Sequence, residues 1–199
     1  AGCFAIGQEP TGAADPFALR RHALSIIRIL EERNWALSLS EFIRESLNIL
    51  KDNIKFDPDQ VFDRMRLFFK ERYKNKMLGT GYETDLIEAV LSASFNRIDE
   101  LPLRIKHLHR FMTEFEDFES VALTFKRVSN ILKNQEQVFD VDENLFKDRC
   151  EEVLWKKYKA LKDRINSLTE KKEYFEALNL IAGLKIPVDD FFDSVEVLT

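Results

Sequence analysis

The sequence predicts an all-α protein, a multi-helix bundle, on three observations. Apolar residues recur at helical spacing in segment after segment, while the apolar–polar alternation of a strand persists nowhere. Only 6 Gly and 5 Pro interrupt 199 residues. Against these few breakers stand 17 Phe, enough rings to fill the space between helices. The length suits one large domain or two small ones. With 45% hydrophobic and 33% charged residues the composition is globular rather than disordered. No internal repeat period is found.

Residues 1–14 are small and Gly-rich and read as a linker or the tail of a preceding domain, with no packed core of their own. The chain opens Ala1-Gly2-Cys3-Phe4 without an initiator Met, as expected of a piece cut from a longer polypeptide. Asp15-Pro16 reads as an N-cap followed by Pro at the first helical position. Leu19, Ala23, Ile26, Ile27 and Leu30 give that helix its inner face, with Arg20, Arg21 and Arg28 outside. Ser40-Glu41 opens a short helix through Leu50. Asp57-Pro58-Asp59-Gln60 is the strongest start signal, an Asp cap with Pro at the first position and Gln at the third. Its helix runs to about Met77, with Val61, Phe62, Met65, Phe68, Phe69 and Tyr73 inward, and Gly79 and Gly81 stop it.

Thr84 to Ala93 is the next amphipathic helix, burying Leu86, Ile87, Val90 and Leu91. Pro102 fits a first turn, and the helix beyond it carries Leu103, Ile105, Leu108 and Phe111. After an acidic turn, Phe118 to Lys133 places Phe118, Val121, Ala122, Phe125, Val128 and Leu132 on one stripe. Lys126, Arg127 and Asn130 fall opposite, since each residue advances roughly 100° around a helix. Such a cationic back is either solvated or holds an anionic, hydrogen-bonding partner. Asn134 to Val141 reads as a loop, and Asp142-Glu143-Asn144 caps a long helix to about Leu168. Tyr174 to Leu184 and Val188 to Val197 complete the chain.

The formal net charge of −5 argues against a protein coated in nucleic acid, whose binding is dominated by cations on phosphates, but permits a local basic patch. No apolar run approaches the ~20 residues that span a membrane. Cys3 and Cys150 are too few and too far apart for a disulfide framework or metal spacing, and suit two reduced thiols. His107 and His109, two apart, point about 200° apart on a helix and cannot share a metal. No phosphate loop or nucleophile elbow occurs. Asp189-Asp190 and Glu151-Glu152 sit where helix starts explain them. Phe68-Phe69, Phe115, Phe118 and Phe191-Phe192 read as core rather than a stacking platform. The chain by itself is expected to carry no catalytic or metal site.

Several ordered motifs resemble one family. Phe4-Ala5-Ile6-Gly7-Gln8-Glu9-Pro10-Thr11-Gly12 with Asp15-Pro16-Phe17-Ala18-Leu19-Arg20-Arg21 is similar to the central signature of bacterial glycyl-tRNA synthetase beta subunits. Phe68-Phe69-Lys70-Glu71-Arg72 resembles the family's FFxER helix. Gly81-Tyr82-Glu83-Thr84-Asp85-Leu86-Ile87-Glu88-Ala89-Val90-Leu91 resembles GYxxDLIxAVL. Phe125 to Ile131 resembles FKRVxNI, and Pro187 to Asp193 resembles PVDxFFD.

The resemblance implies a helical body at 15–80 and, at 81–199, a DALR-type anticodon-binding domain like that of arginyl- and cysteinyl-tRNA synthetases, lacking the family's further C-terminal helical stretch. It implies membership of a cytoplasmic class II glycine–tRNA ligase of two alpha and two beta chains. The alpha subunit would use ATP and glycine, with no cofactor in this segment, and the beta subunit would grip glycine tRNA, with no DNA and no membrane as partner. Glycine anticodons end in two cytosines. The amide of Asn130 suits their mixed donor and acceptor edges, while Lys126, Arg127 and Lys133 suit phosphates, and Arg104, Lys106 and His107 would extend that face. The rival expectation is a helical assembly module that makes subunit contacts without reading an anticodon.

Overall fold

The computed structural model describes residues 1–133 and 140–196. It is all-α, with no strand among the described residues, and forms two compact units, 1–106 and 107–199.

The first unit holds α1 (Gly2–Ala5), α2 (Leu19–Glu32), α3 (Leu39–Asn48), α4 (Pro58–Leu78), α5 (Thr84–Ala93) and the start of α6 (Leu101–Glu114). α4 is its centre: Val61, Phe62, Met65, Phe69, Tyr73 and Met77 are buried along one stripe, and α1, α2, α3 and α5 pack around it. The expected start signal operates, since Asp57 Oδ1 accepts the N–H groups of Asp59 and Gln60 at 3.0 and 3.1 Å.

Residues 1–14 do not behave as the unpacked linker expected of them. Phe4 is buried, edge-on to Phe68 at 5.2 Å, and Arg64 donates to the Phe4 carbonyl and to Glu9. One aromatic anchor outweighs a Gly-rich composition. α2 begins at Leu19, three residues later than Pro16, yet Asp15 still caps it: its two oxygens accept from Leu19 at 2.8 Å and Arg20 at 3.0 Å. α3 begins at Leu39, because Ser38 rather than Ser40 accepts from the Glu41 N–H.

The division between units falls inside α6, between Lys106 and His107, and not at residue 81. α5 supplies the reason. Its Leu86, Ile87, Val90 and Leu91 are buried, it packs on α4, and a Lys74–Glu88 ion pair joins the two helices. Residues after 81 thus complete the first core. A 3-10 turn at Ile98–Glu100 opens α6, where buried Asp99 and Glu100 are paired by Arg97 and Arg104.

The second unit holds the rest of α6, then α7 (Phe118–Leu132), α8 (Arg149–Glu170), α9 (Tyr174–Ala182) and α10 (Lys185–Ser194). Phe111, Val121 and Ala182 are its buried centre, with Phe115, Phe118, Phe125, Phe175 and Leu178 packed half-buried against them. Most of the loop expected at 134–141 lies outside the described residues, as do residues 197–199. α8 starts at Arg149 rather than beside Asp142, because Glu151 Oε2 reaches back to accept from Lys147 and Asp148 at 2.7 and 2.9 Å.

Candidate functional site

The buried face of α7 differs in part from the apolar stripe read in the sequence. Ala122 and Leu132 are exposed, while Thr124 is buried. Thr124 is drawn inward by α10, donating its hydroxyl to Asp189 Oδ1 at 2.8 Å. Asp189 Oδ2 accepts in turn from Lys185 Nζ at 2.9 Å. The bond from Lys185 is the chief reason the Asp189 carboxyl is held below its ordinary range; Thr124 and the nearby charge of Arg127 add to it against partial desolvation. The same bond raises Lys185.

This inward turn sets α10 beside the polar back of α7 and opens a groove of about 730 Å³. α7 lines it with Leu123, Lys126, Arg127, Asn130 and Ile131, and Phe192, Val195 and Glu196 close the other side. The Arg127 guanidinium lies 4.3 Å from the centre of the Phe192 ring, within cation–π range. Its Nη2 also approaches the Phe192 carbonyl at 3.5 Å. Lys126 makes no ion pair with a described residue.

Three of the residues singled out from the sequence, Lys126, Arg127 and Asn130, therefore share one groove. Lys133 is exposed at the C-cap of α7 and does not line it. Arg104 and Lys106 belong to the first unit, where Arg104 is bound to Glu100 at 2.8 Å. His107 lies in the second unit, but its Nδ1 accepts the Phe175 N–H at 3.0 Å and its ring stands edge-on to Tyr174. Accepting at Nδ1 requires the proton on Nε2, so the ring helps seat α9.

Phe192 and Glu196 were missed by sequence reasoning. An adjacent Phe pair in a helix reads as core, and nothing local marks one ring as the platform for an arginine sixty-five residues earlier. Leu123, an apolar residue lying off the stripe among polar neighbours, was the available signal that this back meets something.

Two cations, an amide, a ring and a rim carboxylate around an open groove can hold an anionic ligand that also presents hydrogen-bonding edges. Among the described residues no three His, Cys, Asp or Glu side chains are placed to hold a metal ion, and no helix is long and apolar enough to cross a membrane. Cys3 and Cys150 are free thiols.

Comparison with known proteins gives a consistent picture. Residues 1–92 match the family model described as glycyl-tRNA synthetase beta subunit. The glycine–tRNA ligase beta subunit of Geotalea daltonii is 38% identical over 197 residues, covering 99% of this chain and 28% of that protein. The beta subunits of Syntrophotalea carbinolica and Clostridioides difficile are 37% and 35% identical over 198 residues, again with 28% of each relative covered. The chain thus spans little more than a quarter of the length of these relatives. Over residues 1–92 the chain is similar to the family model, and over nearly its whole length it is similar to a segment of these glycine–tRNA ligase beta subunits.

Proposed function

We propose that the chain is a tRNA-binding part of a glycine–tRNA ligase beta subunit, with the groove between α7 and α10 receiving the anticodon stem-loop of glycine tRNA. The observation that carries this reading is the convergence of Lys126, Arg127 and Asn130 on one groove, with the Arg127 guanidinium over the Phe192 ring. RNA is recognised by sequence mainly where bases are unpaired, and their edges need both donors and acceptors. Asn130 offers both, Glu196 accepts from an exocyclic amine, and the two cations suit phosphates. The second unit, from His107 onward, would correspond to a DALR-type domain. Catalysis would reside in the alpha subunit of an alpha2beta2 cytoplasmic enzyme, which would use ATP, and this segment would position tRNA.

The test is a Lys126→Ala, Arg127→Ala double substitution in the complete beta subunit, assembled with alpha. Aminoacylation should lose at least tenfold in kcat/KM for tRNA, chiefly through KM, with tRNA-independent activation of glycine unchanged. Wild-type kcat/KM would sink the proposal.

A second reading has its own observation. Ile26, Ile29, Leu30, Trp35, Leu37, Leu39 and Phe42 line a wholly apolar hollow of about 180 Å³, with Trp35 53% exposed. An exposed apolar patch of this kind suits a subunit contact, the role of an assembly module. Salt separates the two: RNA binding falls steeply as salt rises, whereas an apolar interface does not.

A further inference from the structure

α8 is unlike the other long helix of the chain, α4, which is buried along one side. None of the 22 residues of α8 is buried. Yet it carries two large aromatic side chains, Trp155 and Tyr158, which stack on one another with ring centres 5.5 Å apart and planes inclined by 21°. Lys159 lies over the Trp155 ring at 5.3 Å and Lys162 over the Tyr158 ring at 5.9 Å. The spacing of Trp155, Tyr158, Lys159, Lys162 and Asn166 keeps all five on one helical strip. Tyr158 is 39% exposed. The strip borders an open groove of about 720 Å³, walled on the far side by Leu184, Val188 and Phe191.

Trp155 is half-buried and Tyr158 exposed, so part of this aromatic pair lines the groove as apolar surface available to a ligand. Its surroundings say what kind of ligand fits. Aromatic rings with mobile lysines beside them suit a ligand that stacks a nucleobase on a ring and draws the ammonium to its phosphate. The wider stretch is cationic too: residues 156–172 hold seven Lys and Arg against two carboxylates, in a chain whose net charge is −5. Lys157 and Arg164 point away from the strip and contribute only to its potential. The acids that do face it are Glu143, Glu151 and Asp140. Glu143 accepts from Trp155 Nε1 at 2.7 Å and from Lys159, fixing the indole edge and holding Lys159 until a phosphate competes for it. Glu151 is engaged by backbone N–H groups, and Asp140 lies at the groove's rim.

We infer that the Trp155–Tyr158 strip of α8 is a second RNA-binding surface, taking an unpaired stretch of one to two nucleotides by base stacking with Lys159 and Lys162 on the flanking phosphates. The inference rests on the reading of the chain as tRNA-binding but uses none of the groove's residues, so the two fail separately.

The 199-residue chain carrying Trp35→Phe leaves Trp155 as its sole tryptophan. Titrating it with a single-stranded heptaribonucleotide should quench the Trp155 emission. Double-stranded RNA and heparin, which offer charge without free base faces, should not. Tyr158→Ala with Lys162→Ala should weaken heptamer binding about tenfold or more, the scale of one lost stacked base. Tyr158→Phe, which keeps the ring, should bind like wild type and guards against a folding artefact. Unchanged emission and unchanged affinity in the double variant would overturn the inference, as would equal quenching by heparin. Loss of solvent exposure at Trp155 on assembly with the alpha subunit and without RNA would overturn it in favour of a protein partner. Lys126→Ala with Arg127→Ala, run alongside, reports on the groove alone: loss there with no loss at Tyr158 rejects the strip and keeps the groove, and the reverse rejects the groove.

Discussion

Asp189 shows how a single carboxylate can shape a site it does not touch. It accepts from Thr124 of α7 and Lys185 of its own helix, and so fixes the place where α10 presents Phe192 to Arg127. Asp189→Asn, which substitutes no groove residue, should lower the melting temperature at neutral pH and loosen tRNA binding by displacing α10. The pH dependence has a definite sign. Because the folded carboxyl titrates below its ordinary value near 3.8, its stabilisation is present above that value and is lost as pH falls through the lower, folded one. Lys185, raised above 10.5, contributes fully below that pH and loses its contribution only as pH climbs through its folded value. The melting-temperature gap between wild type and Asp189→Asn should therefore be flat around neutrality and narrow in acid below about pH 4. A gap that widens in acid would contradict the assignment. Arg127→Lys probes a different property. It keeps the charge but loses the planar guanidinium on Phe192, so tRNA affinity should fall several-fold, where a purely electrostatic role would leave it unchanged.

Helix boundaries show where sequence reasoning holds and where it stops. α4 and α5 begin where the sequence placed them; for α4 the capping groups sit next to the helix they start, at Asp57 and Pro58. α2, α3 and α8 are displaced because their partners are remote or reach backward: Asp15 from four residues upstream, Asn96 from across the chain, Glu151 from within the helix. The Asn96 case is testable. Its Oδ1 accepts from both the Ser38 hydroxyl at 3.1 Å and the Ser40 N–H at 2.9 Å. Asn96→Ala leaves a helix-terminal N–H without its partner and should cost about 1–2 kcal/mol in urea unfolding. Gly81 tests the turn between α4 and α5. At φ +90 it occupies a conformation that side-chain-bearing residues avoid, although a Cβ there would meet no neighbour. Gly81→Ala should therefore destabilise by about 1 kcal/mol through backbone strain alone, with no change in packing. The rotation of α7 was illegible for a related reason. Its period was correct, but Thr124 turned inward because of an acid in a helix that the local pattern cannot see.

At the level of the whole molecule, the sequence disclosed the all-α class and three members of the groove, because both are written in single helices. It did not disclose the division inside α6, nor Phe192 as a platform, because both depend on which helices meet. The two units also differ in how much apolar surface they hide. Among the described residues, only Phe111, Val121, Ala177, Ala182 and Val188 are buried apolar side chains of the second unit, whereas the first unit has the long stripe of α4 with α2, α3 and α5 against it. Resistance to opening follows buried apolar contact. Amide hydrogen exchange should therefore be slowest around Phe69 and Tyr73 of α4 and at least tenfold faster along α8, which has no buried residue. Equal protection of α4 and α8 in the free chain would show that half-buried packing stabilises the second unit as well as a full core does. A ligand that binds only the folded unit raises its opening free energy by RT ln(1 + [L]/Kd), about 2.7 kcal/mol at a hundredfold excess over Kd. Glycine tRNA at that excess should then slow exchange in α7 and α10 about a hundredfold and leave α4 as it was. Slowing confined to the first unit would place the RNA on a surface other than the groove.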